Sequence, residues 1–255
     1  MTHQHPSTWR GEVLRWYLTR ARHPFKDYIV GHYWALFCRP RVWVPYDGAS
    51  VISVSLGDYL QQRIFDPLGM VDTSFHVAAA KRDRFAALYR QGPAGGPLRT
   101  RDDGSADARY AEGGTYFSGA GGLTSTAADY MRFAKMLANG GELDGERIIG
   151  TRTVEYMAAN HLPDGAEFAD IVNNPLSTWI TKGTGFGLGF AVLMDPVKAG
   201  VLGTEGEYYW NGAFSTSFFV SPGEDLVAML LTQLGNATYD IRREWRSTVY
   251  QAITD

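Results

Sequence analysis

The stretch Phe214-Ser-Thr-Ser-Phe-Phe-Val-Ser-Pro-Gly-Glu-Asp-Leu-Val-Ala-Met-Leu-Leu231 decides the fold. Phe214, Thr216, Phe218 and Val220 recur every second residue, the period of a strand with one buried face. Ser221-Pro-Gly-Glu224 turns the chain, and Leu226 to Leu231 is a nearly continuous apolar strand. Immediately upstream, Tyr209-Trp-Asn-Gly212 leads into the alternation. From residue 184 the same period runs through Phe186, Leu188, Phe190, Val192 and Met194, with the small residues Gly187, Gly189 and Ala191 between the first four. Strands joined by short turns predict an antiparallel sheet. Downstream, Ile241, Trp245, Val249 and Ala252 share one face of a helix, and laying that face on the sheet gives an α+β layer.

Before residue 184 the period is helical. Ser55 caps a helix, with Asp58 completing a capping-box-like pair, and Tyr59, Leu60, Ile64 and Phe65 form its apolar face. Asp66-Pro67 stops it, and Leu68-Gly-Met70 makes the exit turn. A second helix begins near Thr126. Tyr130, Phe133, Ala134, Leu137 and Ala138 make its buried face, and Gly140-Gly141 ends it with left-handed backbone. A third opens at Thr151 and carries Val154, Met157 and Ala158. Residues 91–114 read as a long exposed connection. Residues 1–54 fit no single periodic template, although Trp9, Leu14, Trp16 and Tyr17 suit a short helix. Arg39-Pro-Arg-Val-Trp-Val-Pro-Tyr46 reads as extended, since each proline pushes its predecessor out of the helical region. The expected division is a poorly organised segment 1–54 and a domain 55–255, with a helical lobe to about residue 180 and the sheet with its last helix after it.

Composition narrows the function. The 255 residues are 45% hydrophobic and 20% charged, enough for a core and too apolar for a disordered chain. A net charge of -3 without a basic cluster argues against nucleic acid and anionic lipid as partners. Cys38 is the single cysteine, so no internal disulfide forms, which fits a reducing compartment. The first thirty residues lack the apolar core of a secretory signal, and no apolar run reaches membrane-spanning length. A cytoplasmic location is expected. His3 and His5 alone make a poor metal site.

Three motifs stand together: Asp58-Tyr-Leu-Gln-Gln-Arg-Ile-Phe-Asp-Pro-Leu-Gly-Met70, Ser118-Gly-Ala-Gly-Gly-Leu-Thr-Ser-Thr-Ala-Ala-Asp129 and Tyr209-Trp-Asn-Gly212. They resemble the penicillin-recognising serine hydrolases, in particular the class C β-lactamase-like esterases, over about residues 55–255. The resemblance implies an antiparallel sheet flanked by helices with a helical lobe on its other side, N-terminally incomplete against the family pattern. It implies a Ser-x-x-Lys helix, a relay tyrosine and a Lys-Thr-Gly-type strand. In the esterases that strand often reads Trp-x-Gly, and here it matches Trp210, Asn211 and Gly212, expected on an edge strand lining the substrate cleft. Trp210 in place of lysine removes a partner for a β-lactam carboxylate and favours an uncharged ester. Tyr46 is the candidate relay tyrosine; its other reading is a turn tyrosine. No serine in the chain is followed three residues later by lysine, so this motif identifies no nucleophile. Ser7 has Arg10 in that place, and a guanidinium does not act as a base near neutral pH. The Ser118–Gly122 run is not a nucleophile elbow, because Tyr116 and Ala120 stand where that motif needs glycine. No local signature supports a Ser-His-Asp triad through His76 or His161.

The expected function is therefore ester hydrolysis, with β-lactam hydrolysis second, through an acyl-enzyme. The alternative is a truncated or degenerate member that binds a ligand or a partner without hydrolysis. The implied partner is a small ester or amide. Self-association is expected if the place of the nucleophile helix is imperfectly filled. No metal or organic cofactor is implied, because the family chemistry uses side chains alone.

Overall fold

The computed structural model describes residues 41–46, 50–92, 96–100, 110, 117, 119, 121–171, 182–235, 237 and 239–254, without the side chains of 41–54 and 99. The expected helix around Trp9 to Tyr17, the histidines His3 and His5, Ser7, Cys38 and Ser118 lie outside the described residues.

The extended reading of the segment ending at Tyr46 corresponds to a strand. β1 (Arg41–Tyr46) pairs antiparallel with β2 (Ser50–Ser55), Arg41 opposite Ser55 and Tyr46 opposite Ser50. Ser55 then caps α1 (Leu56–Leu60), its hydroxyl accepting the Asp58 N–H at 3.0 Å and donating to the Asp58 carboxylate at 2.7 Å. The helix widens into a π turn over Gln61–Phe65 and closes through Met70 N–H to Phe65 O at 2.8 Å, which buries Leu68 completely. A 3-10 turn (Ala79–Arg84) leads to β3 (Tyr89–Arg90), and β4 (Arg99–Thr100) pairs back on it.

α2 (Ala127–Ala138) starts at Thr126, whose hydroxyl accepts the Asp129 N–H at 3.2 Å. The buried Asp129 carboxylate accepts the Asp72 N–H at 2.6 Å and the Thr73 hydroxyl at 2.9 Å, tying the α1 exit loop to the helix start. The helix ends at Gly140 and Gly141, both left-handed. A Cβ on Gly141 would meet Ile149 O at 2.1 Å, so only glycine fits there. The hairpin β5 (Glu142–Leu143) and β6 (Glu146–Arg147) follows, then α3 (Thr151–Met157) and α4 (Phe168–Ile171).

The second half is the sheet. β7 (Thr184–Phe186), β8 (Ala191–Leu193), β9 (Tyr208–Asn211), β10 (Ser217–Ser221) and β11 (Leu226–Leu230) run in the spatial order β11-β10-β9-β8-β7, every pairing antiparallel. The short α5 (Pro196–Ala199) lies between β8 and β9, and β12 (Leu234–Gly235) pairs with β3. α6 (Ile241–Gln251) closes the described fold. The alternation from Phe186 to Met194 is one strand by period but two in space. Gly187 lies against α3, where a Cβ would meet Met157 O at 2.0 Å, and Gly189 takes φ +104°, so the chain folds back between them.

Alternation assigns the two faces of the sheet. Phe190, Val192, Tyr208, Phe218 and Val220 join Phe65, Leu68, Met70, Met136 and Leu137 in one core under the helical lobe. Phe219, on the opposite face, lies under α6, 5.3 Å from the Trp245 ring and stacked on Tyr250 at 5.6 Å. No described helix is long and apolar enough to cross a membrane.

Candidate active site

The Trp210-Asn-Gly212 motif ends β9 and opens its turn into β10. β9 lies in the middle of the sheet and not at its edge, as the sequence reading had it. The reason is β8, which pairs Ala191 with Tyr209 and Val192 with Tyr208. That ladder stops at Tyr209, so Trp210 and Asn211 run on beyond it, flanked by β10 through the pairs Asn211–Ser217 and Trp210–Phe218. The end of a central strand thus becomes a local rim.

The two side chains of the motif point to opposite faces. Trp210 is half-buried against the core beneath the helical lobe, its ring edge-on to Phe186 at 5.4 Å. Asn211 faces the other way, into a depression beneath α6 shared with Tyr209, Ser217 and Arg242. Gly212 makes the turn. A Cβ there would meet the Thr216 hydroxyl at 2.1 Å, while its N–H donates to Thr216 O at 2.9 Å and its carbonyl accepts the Ser215 N–H at 3.2 Å. Ser215 is left-handed at φ +63° and buried. Its hydroxyl, at 2.9 Å from Leu234 O, holds that conformation against β12. Thr232 donates its hydroxyl to Phe214 O at 2.7 Å. Ala213 is exposed, and its N–H meets no acceptor among the described residues. Within the turn the bonded groups are the Gly212 and Ser215 N–H donors and the Gly212, Phe214 and Thr216 carbonyls.

The sheet beneath is electrostatically unusual. Glu207, fully buried just before β9, pairs with Arg246 of α6 at 2.5 Å and accepts a hydrogen bond from the Tyr250 hydroxyl. Burial pushes the Glu207 carboxyl above its usual value, against the pull of Arg246 and of Tyr250. Burial raises the Tyr209 and Tyr250 hydroxyls to about 12, so both stay protonated near neutral pH. One turn before Arg246, Arg242 donates to Gly212 O at 2.5 Å and to Thr216 O at 3.4 Å. Sequence reading missed this residue, because the apolar stripe of α6 draws attention to Ile241, Trp245 and Val249. The signal lay in the adjacent stripe, where Arg242, Arg246 and Tyr250 recur every fourth residue.

Tyr46 closes β1 opposite Ser50, and its side chain lies outside the described residues. Among the described residues no cluster of three or more His, Cys, Asp or Glu side chains is arranged for a metal.

Comparison with known proteins agrees with this architecture. The chain is 33% identical over 177 residues to protein Rv1367c of Mycobacterium tuberculosis, covering 68% of this chain and 42% of that protein. It is 31% identical over 193 residues to esterase EstB of Burkholderia gladioli, covering 69% of this chain and 43% of EstB. It therefore spans less than half the length of these curated relatives. The solved structure of the simvastatin synthase LovD of Aspergillus terreus shares the fold with a TM-score of 0.66 at 22% identity, over 79% of this chain and 52% of LovD. The family model described as Beta-lactamase matches residues 48–248, and the chain belongs to that family.

Proposed function

We propose that this chain serves the cleavage of uncharged carboxylic esters by acyl transfer, with the end of β9 and the Gly212 turn as the wall that holds the ester carbonyl. The observation that carries this reading is the Gly212 turn at the end of β9, closed against Thr216 where only glycine fits and held by Arg242, with the adjoining Ala213 exposed. In such a reaction a serine hydroxyl attacks the carbonyl carbon and gives its proton to a base. The bond to the alcohol breaks, the alcohol leaves with that proton, and water then releases the acid from the acyl-enzyme. Negative charge gathers on the carbonyl oxygen in both halves, and a preorganised N–H stabilises it there. The half-buried Trp210 offers an apolar surface to the substrate, and Arg242 is committed to backbone carbonyls. That pairing leaves no free cation on the motif for a β-lactam carboxylate. EstB, a relative by sequence, carries the name of an esterase.

Tyr46 is the proposed relay tyrosine. The attacking serine stands outside any Ser-x-x-Lys motif of this sequence, so its position is an outcome of experiment. A small ester or amide is the proposed partner, with self-association of the chain alongside it. The lone cysteine supports a cytoplasmic setting.

Hydrolysis of p-nitrophenyl butyrate by the purified protein tests the proposal. Turnover is expected, and Gly212→Val, which forces Thr216 away and turns the donor aside, lowers it roughly 100-fold. A wild-type protein without turnover, or a variant as active as wild type, overturns it.

A further inference from the structure

We propose that α6 is a positioning strut for the end of β9, and that Arg242 aims the Ala213 N–H by holding the carbonyl of the same peptide unit. The importance of that donor in catalysis rests on the esterase reading above. The clamp itself is a separate claim.

Arg242, Arg246 and Tyr250 are spaced four residues apart, so they lie along one face of α6 over about 12 Å. β9 with its two flanking residues, Glu207 to Gly212, spans about 16 Å. The contacts run in opposite order along the two elements. Tyr250 and Arg246 hold Glu207 before the strand, and Arg242 holds Gly212 after it. α6 thus fixes β9 at both ends. Arg246 also lies over the Phe219 ring at 5.1 Å, which sets the height of the helix above the sheet.

At the Gly212 end the guanidinium reaches both carbonyls of the closed turn, those of Gly212 and Thr216. In a trans peptide the carbonyl of one residue and the N–H of the next point in opposite directions. Holding Gly212 O toward α6 therefore directs the Ala213 N–H away from α6. A cation on the carbonyl also polarises the peptide unit and makes its N–H a stronger donor. Burial lowers the Arg242 pKa from its ordinary value, but the group remains charged at neutral pH. Arg242 is a positioning residue under this proposal, since it acts through the backbone.

Amide hydrogen exchange on Arg242→Met and Arg242→Lys, with wild type beside them, tests the clamp. In Arg242→Met the amides of Gly212 and Ser215, whose acceptors are the two clamped carbonyls, are expected to exchange about 10–100-fold faster, while Phe218 to Val220 hold their protection. Arg242→Lys, which keeps the charge and one contact, restores most of the difference and covers the case in which the methionine variant folds poorly. On p-nitrophenyl butyrate, Arg242→Met is expected to lower kcat at least about 10-fold with KM within about twofold, because the interaction is made to the transition state. Unchanged exchange at Gly212 and Ser215, uniform acceleration across the sheet, no recovery with lysine, or a change in KM alone overturns the proposal. A wild-type protein inert toward the ester sinks the esterase reading, and the exchange data then decide the clamp on their own.

Discussion

Arg246→Met is expected to destabilise the protein by about 3–5 kcal/mol. The pair it breaks is enclosed. Glu207 is fully buried, and the Arg246 side chain is 10% exposed. Removing the cation leaves a carboxylate in an apolar site with only the Tyr250 hydroxyl to offset it. The loss carries a pH signature. Burial already holds the folded pKa of Glu207 above its ordinary 4.5. The stability linked to that raised value is fully present below about pH 4.5 and is lost as pH rises through the folded pKa. Without Arg246 that pKa climbs further, so the variant falls increasingly behind wild type as pH rises above about 4.5. Changing Glu207 to Gln in the same background removes the slope. Urea denaturation at several pH values reads both effects, and a loss below about 1 kcal/mol or one independent of pH contradicts the account.

Phe219→Ala is expected to cost about 3–5 kcal/mol by a different route. Phe219 is 1% exposed on the face of the sheet opposite the main core, where α6 is the described helix above it. Its ring contacts Trp245, Tyr250 and the Arg246 guanidinium together. Truncation opens a cavity between two rigid layers and removes the surface on which the helix rests. The damage therefore spreads to the Arg246–Glu207 pair. Double-mutant cycles of Phe219→Ala with Arg246→Met are expected to fall well short of additivity. Strict additivity would separate the α6 packing from its ion pair and contradict the strut.

Much of this fold was legible because local signals agreed with tertiary needs. Thr126 with Asp129, and Gly140 with Gly141, mark both ends of α2 through backbone groups that a helix leaves unsatisfied. Ser55 and Asp58 do the same for α1. Alternation followed by Ser221-Pro-Gly-Glu224 located the β10–β11 hairpin. The break between β7 and β8 was hidden, since Leu188 and Phe190 keep the period of two while Gly187 is dictated by contact with Met157, a residue of α3. The candidate site was legible as a motif and hidden as a geometry. Trp210, Asn211 and Gly212 stand out in the sequence, but period two sends Trp210 and Asn211 to opposite faces. Only the Gly212 turn presents backbone, and what fixes it comes from elsewhere in the chain. An arginine on a terminal helix reads as solvated surface. Nothing near Gly212 reveals that Arg242 ties down its carbonyl. Glu207 likewise shows no local sign of its partner, which comes from α6.

Acyl transfer at the end of β9 is the activity proposed for this family member. Incubation with an alkyl p-nitrophenyl phosphonate, followed by intact-mass analysis and peptide mapping, tests it most directly. The account predicts one phosphonyl adduct per chain on a single serine, formed much more slowly in Gly212→Val. An unmodified chain after prolonged incubation, or labelling scattered over several residues and indifferent to Gly212, contradicts it.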